Sequence, residues 1–337
     1  MKIYTAFWRA SFALSVLIAT VTAFVPFAAA QTAAPQLGKS QAGFYRMKVG
    51  DFEITALSDG TVPLPVFDVL TNIKPGEIER LLSDAFVKSP IDASVNAFLI
   101  KPAGNTNKLI MVDAGSGELY GPTLNKLTIS LRAIGYEPEQ ITDILLTHIH
   151  TDHSGGLMDG SRMVFPNAII HADKREVDYW LNPANRDKSK GNREQLVRLF
   201  REAAAKVKPY ADAGKVKTFN GDAELFPGIR SIATPGHTPG HSFYALESKG
   251  EKIVFWGDIM HVAEVQFPNP SVTIMFDSDS KAAAAQRKKA FADAAKNGYW
   301  VAPAHVSFPG IGHLRADGSG YKWIPIAFIN DAYETGK

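Results

Sequence analysis

Residues that bind metal ions are concentrated in one short segment of the chain. This segment follows the apolar run 144–146 and contains His148, His150, Asp152 and His153. On an extended backbone His148 and His150 point to the same side, whereas the last two residues lie beyond a bend and can face a second point nearby. Four ligands this close, in a chain without cysteine, favour a pair of metals with an open position for water over one closed structural zinc site.

Three later segments each supply one more residue of a metal-binding type. His237 lies in a loop rich in glycine and proline, and Asp258 and His305 each follow a short apolar segment with the pattern of a buried strand. A strand that ends at such a residue holds it rigidly at the edge of a sheet. The expected ligands of the metal centre are therefore His148, His150, Asp152, His153, His237, Asp258 and His305.

The order of these ligands, an HxHxDH motif followed by a single His, a single Asp and a single His, resembles the metallo-β-lactamase superfamily. The resemblance extends over most of the chain after about Phe44. Four further segments look like methyl parathion hydrolase and its secreted relatives: 52–61, 121–124, 277–280 and 307–313. The resemblance implies an α/β fold, a four-layer αββα sandwich, formed by a single domain over residues 44–337.

In the superfamily the ligands divide between two metals, and the matching positions imply the same division here. One metal takes His148, His150 and His237, the other takes Asp152, His153 and His305, and Asp258 bridges both. Asp152 and Asp258 are the carboxylates expected to act in catalysis. Zinc suits these ligands, with iron, manganese or cobalt as alternatives. A hydroxide held between the metals is then available at neutral pH, because metal binding lowers the pKa of water from about 15.7 toward roughly 7.

Aromatic residues are expected around the substrate. Tyr120, Trp180 and Phe200 match positions at which methyl parathion hydrolase presents aromatic side chains around an aryl leaving group. The alternative for each is packing in the core, above all for Trp180 and Phe200 on amphipathic helices. An aromatic, apolar cleft over two metals suits neutral aryl esters, lactones or phosphotriesters.

Three further pocket positions depart from methyl parathion hydrolase. His261, Ile274 and Phe276 stand where that enzyme has leucine, threonine and leucine. These bulkier or polar groups are expected to crowd a tetrahedral phosphotriester and to suit a planar lactone or ester. For His261 the alternative is a hydrogen bond to a metal-binding residue, without contact with the substrate.

Polar residues near the ligands are expected to hold them in place. Asp113 follows an apolar strand and can accept the spare N–H of a ligand histidine, or else cap backbone amides in a turn. His241 and His313 are expected to support the ligands in the same way, and His171 is expected to be structural.

The expected function is hydrolysis of lactones or aryl esters by two metal ions, with organophosphate triesters as a side reaction. The alternatives are an enzyme that acts mainly on phosphotriesters, a thioesterase of the glyoxalase II type, which shares all the ligands, and a metal-binding protein without turnover. The chain has neither a Gly-x-Ser-x-Gly elbow nor a Walker loop, so serine catalysis and nucleotide hydrolysis have no support. The resemblance also implies a homodimer as one option.

Residues 1–30 have the pattern of a secretory signal peptide, with a basic start, an uncharged apolar run over 11–25 and three alanines before Gln31. Residues 31–43 are expected to form a flexible leader. We therefore expect cleavage before Gln31, a periplasmic or secreted location and no membrane attachment afterwards. The alternative is a membrane anchor, for which the apolar run is short. Cleavage would lower the formal net charge from +2 to about zero, which argues against a nucleic-acid partner.

Hydrophobic periodicity and turn residues predict the main elements. Strands are expected over 45–49, 52–57, 97–100, 109–112, 164–172, 216–219, 229–233, 242–247, 252–256 and 299–304, and helices over 75–86, 124–134, 173–181, 192–207 and 281–295. Residues 61–70 are expected to be irregular and 182–191 to form a polar linker.

Overall fold

The computed structural model describes residues 41, 43–104, 107–188 and 193–329. The predicted signal peptide and nearly all of the predicted leader lie outside the described residues. Within the described ranges, no helix combines the length and apolar character needed to cross a membrane.

Strands of the first half of the chain form one sheet of seven strands. The strands of this half are β1 (Phe44–Val49), β2 (Phe52–Leu64), β3 (Leu70–Thr71), β4 (Ile91–Pro102), β5 (Ile110–Val112), β6 (Asp143–Leu145), β7 (Met158–Asp159), β8 (Arg162–Met163), β9 (Ile169–Asp173) and β10 (Val216–Phe219). The sheet has the order β1-β2-β4-β5-β6-β9-β10. β1 and β2 form the predicted hairpin, whereas β5, β6, β9 and β10 run parallel.

Strands of the second half form a second sheet of seven strands. They are β11 (Ala223–Phe226), β12 (Ile229–Ala233), β13 (Ser242–Ser248), β14 (Glu251–Gly257), β15 (Thr273–Ile274), β16 (Trp300–Pro303), β17 (Gly312–Asp317) and β18 (Gly320–Pro325). The order is β11-β12-β13-β14-β16-β17-β18, and β15 pairs with β3 outside both large sheets. β14 and β16 run parallel, so their carboxyl ends lie side by side.

Helices pack on both large sheets, and a further group of helices forms an apolar cluster of its own with β3 and β15. They are α1 (Val66–Val69), α2 (Pro75–Asp84), α3 (Leu127–Ala133), α4 (Thr151–Ser154), α5 (Lys174–Trp180), α6 (Pro183–Lys188), α7 (Arg193–Asp212), α8 (Ala263–Gln266) and α9 (Ser280–Asn297). Apolar residues of α3, α5 and α7 pack on the first sheet, and those of α9 pack on the second.

The alternation of side chains along β14 explains the layers. Ile253 and Phe255 pack between the two sheets, where the Phe255 ring lies 5.2 Å from the ring of Phe98. Val254 and Trp256 point to the opposite face and pack against α9. Successive side chains of a strand face opposite ways, so a continuous apolar run is buried on both faces. The layers are helix, sheet, sheet, helix, and the predicted four-layer fold is confirmed.

One helix begins later than its periodicity indicates. The helix predicted over 124–134 begins at Leu127, because the buried carboxylate of Asp59 accepts hydrogen bonds from the N–H groups of Lys126 and Leu127 at 2.9 and 3.0 Å. These bonds satisfy amides that the first turn of a helix leaves free.

Other elements differ in extent. The predicted linker 182–191 contains α6, and the segment 61–70 continues β2 as far as Leu64 and then forms α1. The strand predicted over 164–172 begins only at Ile169, and α7 extends to Asp212. The hairpin of β17 and β18 was not predicted, because half-exposed strands such as these have little apolar alternation.

Candidate metal centre

The predicted ligands meet at one edge of the two sheets. His148 and His150 follow the end of β6, and α4, which begins after His150, carries Asp152 and His153. His237 lies between β12 and β13, Asp258 directly follows β14, and His305 follows the end of β16 after one residue. The close approach of the β6 and β14 ends uses Gly257, whose φ is 50° and where a Cβ would lie 2.7 Å from Thr147.

The structure brings all seven residues together in two groups that share Asp258. One group is His148, His150, His237 and Asp258, and the other is Asp152, His153, Asp258 and His305. Within each group the ligand atoms lie within 4.8 Å of one another. All seven are buried except Asp152, which is partly exposed. This division is the one that the resemblance implied.

The orientation of His153 is set by Asp113. His153 Nδ1 lies 2.8 Å from Asp113 Oδ2, so Nε2 of the same ring faces Asp258 Oδ1 at 3.0 Å. Asp113 also accepts hydrogen bonds from the backbone N–H and the hydroxyl of Thr147. Both alternatives raised for Asp113 therefore hold: it orients a ligand and caps a turn.

Two other ligand histidines are held through Nδ1 as well. His237 Nδ1 lies 2.9 Å from Asp277 Oδ1, and His305 Nδ1 donates to the carbonyl oxygen of Ser94 at 2.8 Å. In both cases Nε2 faces the cluster. Partners of this kind fix the tautomer of a metal-binding histidine. Neither Asp277 nor Ser94 was anticipated, because each is far in sequence from its histidine.

Atoms of the cluster itself fit metal ions better than they fit one another. In the described part of the chain, His148 Nε2, His153 Nε2 and Asp258 Oδ1 are buried and form no hydrogen bond, although the last two lie 3.0 Å apart. His150 Nδ1 and His237 Nε2 face each other at 3.0 Å. Buried polar atoms without partners are costly, and imidazole and carboxylate donors with no thiolate suit zinc and other divalent metals. The residues present therefore fit two divalent metal ions.

Burial and charge act against each other at these residues. Burial lowers the pKa of His148 well below its usual value, and neighbouring His153 adds to the effect. Burial also acts to lower the pKa of His305, but Asp258 and Asp152 outweigh it and raise that pKa to about 10. In the metal-free protein some ligands thus hold protons, so metal binding must release protons and strengthen with pH.

A cavity of about 420 Å³ opens onto the cluster. Its lining includes Tyr120, His261 and Phe276, three of the six residues predicted to contact substrate. Residues that sequence reasoning missed line it as well: Val62, Pro63, Leu64, Pro65, Asp68, Val69, Ala93, Arg198, Leu199 and Met275. Apart from the metal-binding residues, the wall is mainly apolar.

Trp180 and Phe200 do not reach this cavity, which corrects their expected role. Both are nearly fully buried in the core beneath α5 and α7. The Trp180 ring packs at 4.7 Å from that of Phe200 and edge-on at 5.2 Å from that of His150. The aromatic pair therefore supports a ligand from outside the pocket, and the core alternative holds for both.

Ile274 also needs correction. It is fully buried and pairs with Leu70 in the small sheet of β3 and β15. Its neighbours Met275 and Phe276 face the cavity instead. The antiparallel pairing fixes the side that Ile274 faces, and the sequence did not reveal that pairing.

Of the two histidines expected to support the ligands, His241 lies at the cluster and His313 does not. His241 Nε2 accepts the backbone N–H of Asp258 at 3.0 Å, and its Nδ1 lies 2.8 Å from the hydroxyl of Thr234. His313 is not brought to the cluster: its ring packs 3.7 Å from that of Trp300. Trp300 begins β16, whose other end precedes the ligand His305, so the role expected of His313 is corrected.

His261 both contacts a metal-binding residue and lines the cavity, so the two roles considered for it are compatible. Its Nε2 lies 3.0 Å from Asp258 Oδ2, and its ring stacks at 5.1 Å on that of His305. The same side chain lines the cavity. His171 lies elsewhere, with Nε2 at 2.8 Å from Asp143 Oδ1, consistent with a structural role.

Comparison with known sequences agrees with the family resemblance of the ligand motifs. Residues 91–305 match the model of the metallo-beta-lactamase superfamily. The N-acyl homoserine lactonase of Bacillus cereus is 26% identical over 165 residues, which cover 49% of this chain and 56% of that enzyme. The N-acyl homoserine lactonase of a Bacillus species is 29% identical over 160 residues, covering 47% and 54%. The chain thus spans about half the length of these relatives.

Solved structures match over a longer range. The hydrolase AbOPH of the beta lactamase superfamily has a TM-score of 0.81 and 38% identity, covering 87% of this chain and 100% of that one. AidC, a dizinc quorum-quenching lactonase in complex with its product N-hexnoyl-L-homoserine, has a TM-score of 0.79 and 30% identity, covering 86% and 99%. With a family model matched over more than half of its residues and these folds alongside, the chain belongs to the metallo-beta-lactamase superfamily.

Proposed function

We propose that the protein is a hydrolase that uses two divalent metal ions, most simply Zn²⁺, to open lactones. The observation that carries the proposal is the pair of four-residue ligand groups sharing Asp258 beside a mainly apolar cavity of about 420 Å³. The similarity to proteins named N-acyl homoserine lactonases and to a dizinc lactonase supports the same substrate class.

The two metals, when bound, would supply a water molecule of lowered pKa and polarise the carbonyl oxygen under attack. The protein's own part is to hold these groups in place. Asp258 is fixed from two sides, by the Nε2 of His261 and by the backbone hydrogen bond to His241. Such fixed orientation is what preorganised sites contribute to catalysis.

Asp152 is the carboxylate placed to handle a proton. It lines the cavity and is partly exposed, with Oδ2 at 3.3 Å from His305 Nε2. Its other oxygen, Oδ1, can take the proton of the attacking water and return it to the ring oxygen that becomes the alcohol. This transfer converts the lactone and one water into a hydroxy acid, and a carboxylate within reach of both atoms suffices for it.

The cavity wall determines the proposed substrate class. Leu64, Val69, Leu199 and Met275 present apolar surface that suits an acyl chain or another neutral group. Burial raises the pKa of Tyr120 above its usual value, so its phenol stays neutral and can donate a hydrogen bond to a substrate oxygen.

Aryl esters and aryl phosphotriesters are proposed as side substrates. Tyr120 and Phe276 place aromatic surface in the cavity, and offset stacking on such rings stabilises an aryl group by about 0.5–1.5 kcal/mol. We also propose export to the periplasm or beyond, on the basis of the signal-peptide pattern of residues 1–30.

The test is a comparison of kcat/KM for an N-acyl homoserine lactone, an aromatic lactone, an aryl ester, an aryl phosphotriester and a thioester. We expect the lactones to be hydrolysed fastest and all hydrolysis to stop when a chelator removes the metals. Fastest hydrolysis of the thioester or the phosphotriester would overturn the lactone assignment. Turnover that survives complete metal removal would overturn the metal-dependent mechanism.

A further inference from the structure

Glu176 is a buried carboxylate that connects two ligand-bearing segments of the metal centre. It belongs to α5, on the outer side of the first sheet, and is 1% exposed. Its two backbone partners lie 27 and 64 positions away in the sequence. A buried carboxylate is costly unless hydrogen bonds satisfy it, so its contacts indicate what it holds.

Three N–H groups donate to this carboxylate. Oε1 accepts from the backbone N–H of Ile149 at 2.9 Å and from Trp180 Nε1 at 2.7 Å. Oε2 accepts from the backbone N–H of Gly240 at 2.8 Å. Ile149 lies between His148 and His150, and Gly240 lies in the loop that carries His237. The two backbone hydrogen bonds to Glu176 therefore connect these two ligand-bearing loops.

The loop after His237 approaches α5 unusually closely. A Cβ at Gly240 would lie 2.4 Å from the backbone nitrogen of Glu176, so only glycine fits at this position. The approach lets the Gly240 amide reach the carboxylate directly. Because hydrogen bonds to charged groups are stronger than neutral ones, Glu176 holds both loops at fixed separation.

We propose that Glu176 is a positioning residue for one metal of the pair, the one held by His148, His150 and His237. The other metal is supported mainly by other residues, since His153 is oriented by Asp113, which also bonds Thr147, and His305 by the carbonyl of Ser94. The proposal rests on the dinuclear site of the proposed function, but it concerns metal affinity and not the choice of substrate.

The expected effect of Glu176→Gln follows from its donors. Glutamine offers one oxygen, and its NH₂ group would face an N–H donor, so at least one of the two loops loses its bond. Loss of such outer partners lowers metal affinity by about 10- to 100-fold. We expect this loss for the three-histidine group and a change under about threefold for the group that contains His305.

The experiment is a titration of the full chain, freed of metal, with Co²⁺ in competition with a chelator. Absorption spectra distinguish the two groups because one offers three imidazoles and the other two. Asp113→Asn is the comparison variant and should weaken chiefly the group of His153, with a smaller effect on the group of His148 through Thr147. Trp180→Phe removes the indole donor but keeps an aromatic ring beside His150 and both backbone bonds of Glu176, so it should lower the affinity of the three-histidine group by less than Glu176→Gln does.

The proposal is overturned if Glu176→Gln leaves both affinities unchanged, lowers both equally, or gives the pattern expected of Asp113→Asn. The melting temperature of each metal-free variant shows whether it folds, and Glu176→Asp, too short to reach both loops, replaces Glu176→Gln in the titration if that variant does not fold. Two metals bound as expected without lactone turnover would contradict the proposed function and leave the role of Glu176 standing.

Discussion

Replacing His261 by leucine removes a hydrogen bond from the carboxylate that both ligand groups share. Burial lowers the pKa of His261 despite Asp258 beside it, so the ring is neutral and carries its single N–H on Nε2, 3.0 Å from Asp258 Oδ2. A hydrogen bond to a charged group contributes about 1.5–3 kcal/mol. We expect kcat/KM to fall by roughly one to two powers of ten.

The pattern across substrates separates this supporting role from contact with the substrate. His261 Nδ1 is already buried without a partner in the described structure, so binding of an apolar phosphotriester adds little desolvation cost. We therefore expect His261→Leu to lower kcat/KM for an aromatic lactone and an aryl phosphotriester by similar factors.

His261→Gln is the matched control, because its amide can place an N–H near the position of Nε2 and should restore part of the activity. Activities are measured with metal content checked for each variant. A lactone-to-phosphotriester ratio that changes by more than about tenfold would refute the supporting role and favour the direct substrate contact inferred from the sequence.

Three other predictions concern stability and processing. Although burial acts to raise the pKa of Asp173, hydrogen bonds from Arg175 and Gly221 outweigh it and lower that pKa. The contribution of Asp173 to folding stability is therefore present above the unfolded pKa of about 3.9. It is lost as pH falls through the lower pKa of the folded state. In the metal-free Asp173→Asn variant, the free energy of unfolding measured by urea denaturation should fall less steeply below about pH 4 than in the parent. An equally steep fall would contradict this. Gly257→Ala should lower stability by more than about 1 kcal/mol and by more than Gly250→Ala, since both positions have positive φ but only the first meets Thr147; equal melting temperatures would contradict it. Mass spectrometry of protein from the periplasm should find the mature N-terminus at or near Gln31, and an intact chain in the membrane fraction would contradict export.

The ligands could be predicted from the sequence because each follows a buried strand or a glycine-bounded loop directly. Local pattern then determines position: an apolar run that ends at Asp258 or His305 must end at a sheet edge. The supporting contacts could not be predicted in the same way. Glu176 and Asp277 meet their partners 27 to 64 and 40 positions away. Although 277–280 was singled out by resemblance, nothing in the sequence near either residue indicates its partner.

The pocket was predicted less well than the metal centre for a related reason. Amphipathic spacing shows that Trp180 and Phe200 are buried, but it does not distinguish burial in the core from burial in a cavity wall. At residue 274 the outcome depends on the pairing of β15 with β3, which buries Ile274, whereas Met275 and Phe276 follow the end of β15 and line the cavity. Two short strands far apart in sequence give no periodic signal of their pairing.

The number of metal ions per chain tests the central claim most directly. Elemental analysis of the purified parent should give close to two, and His150→Ala and Asp258→Ala should each lower turnover by orders of magnitude while circular dichroism shows a folded chain. Asp258 belongs to both ligand groups, so its loss should release both metals, whereas His150→Ala should release chiefly one. A parent that reaches full activity with a single metal per chain would contradict the dinuclear account.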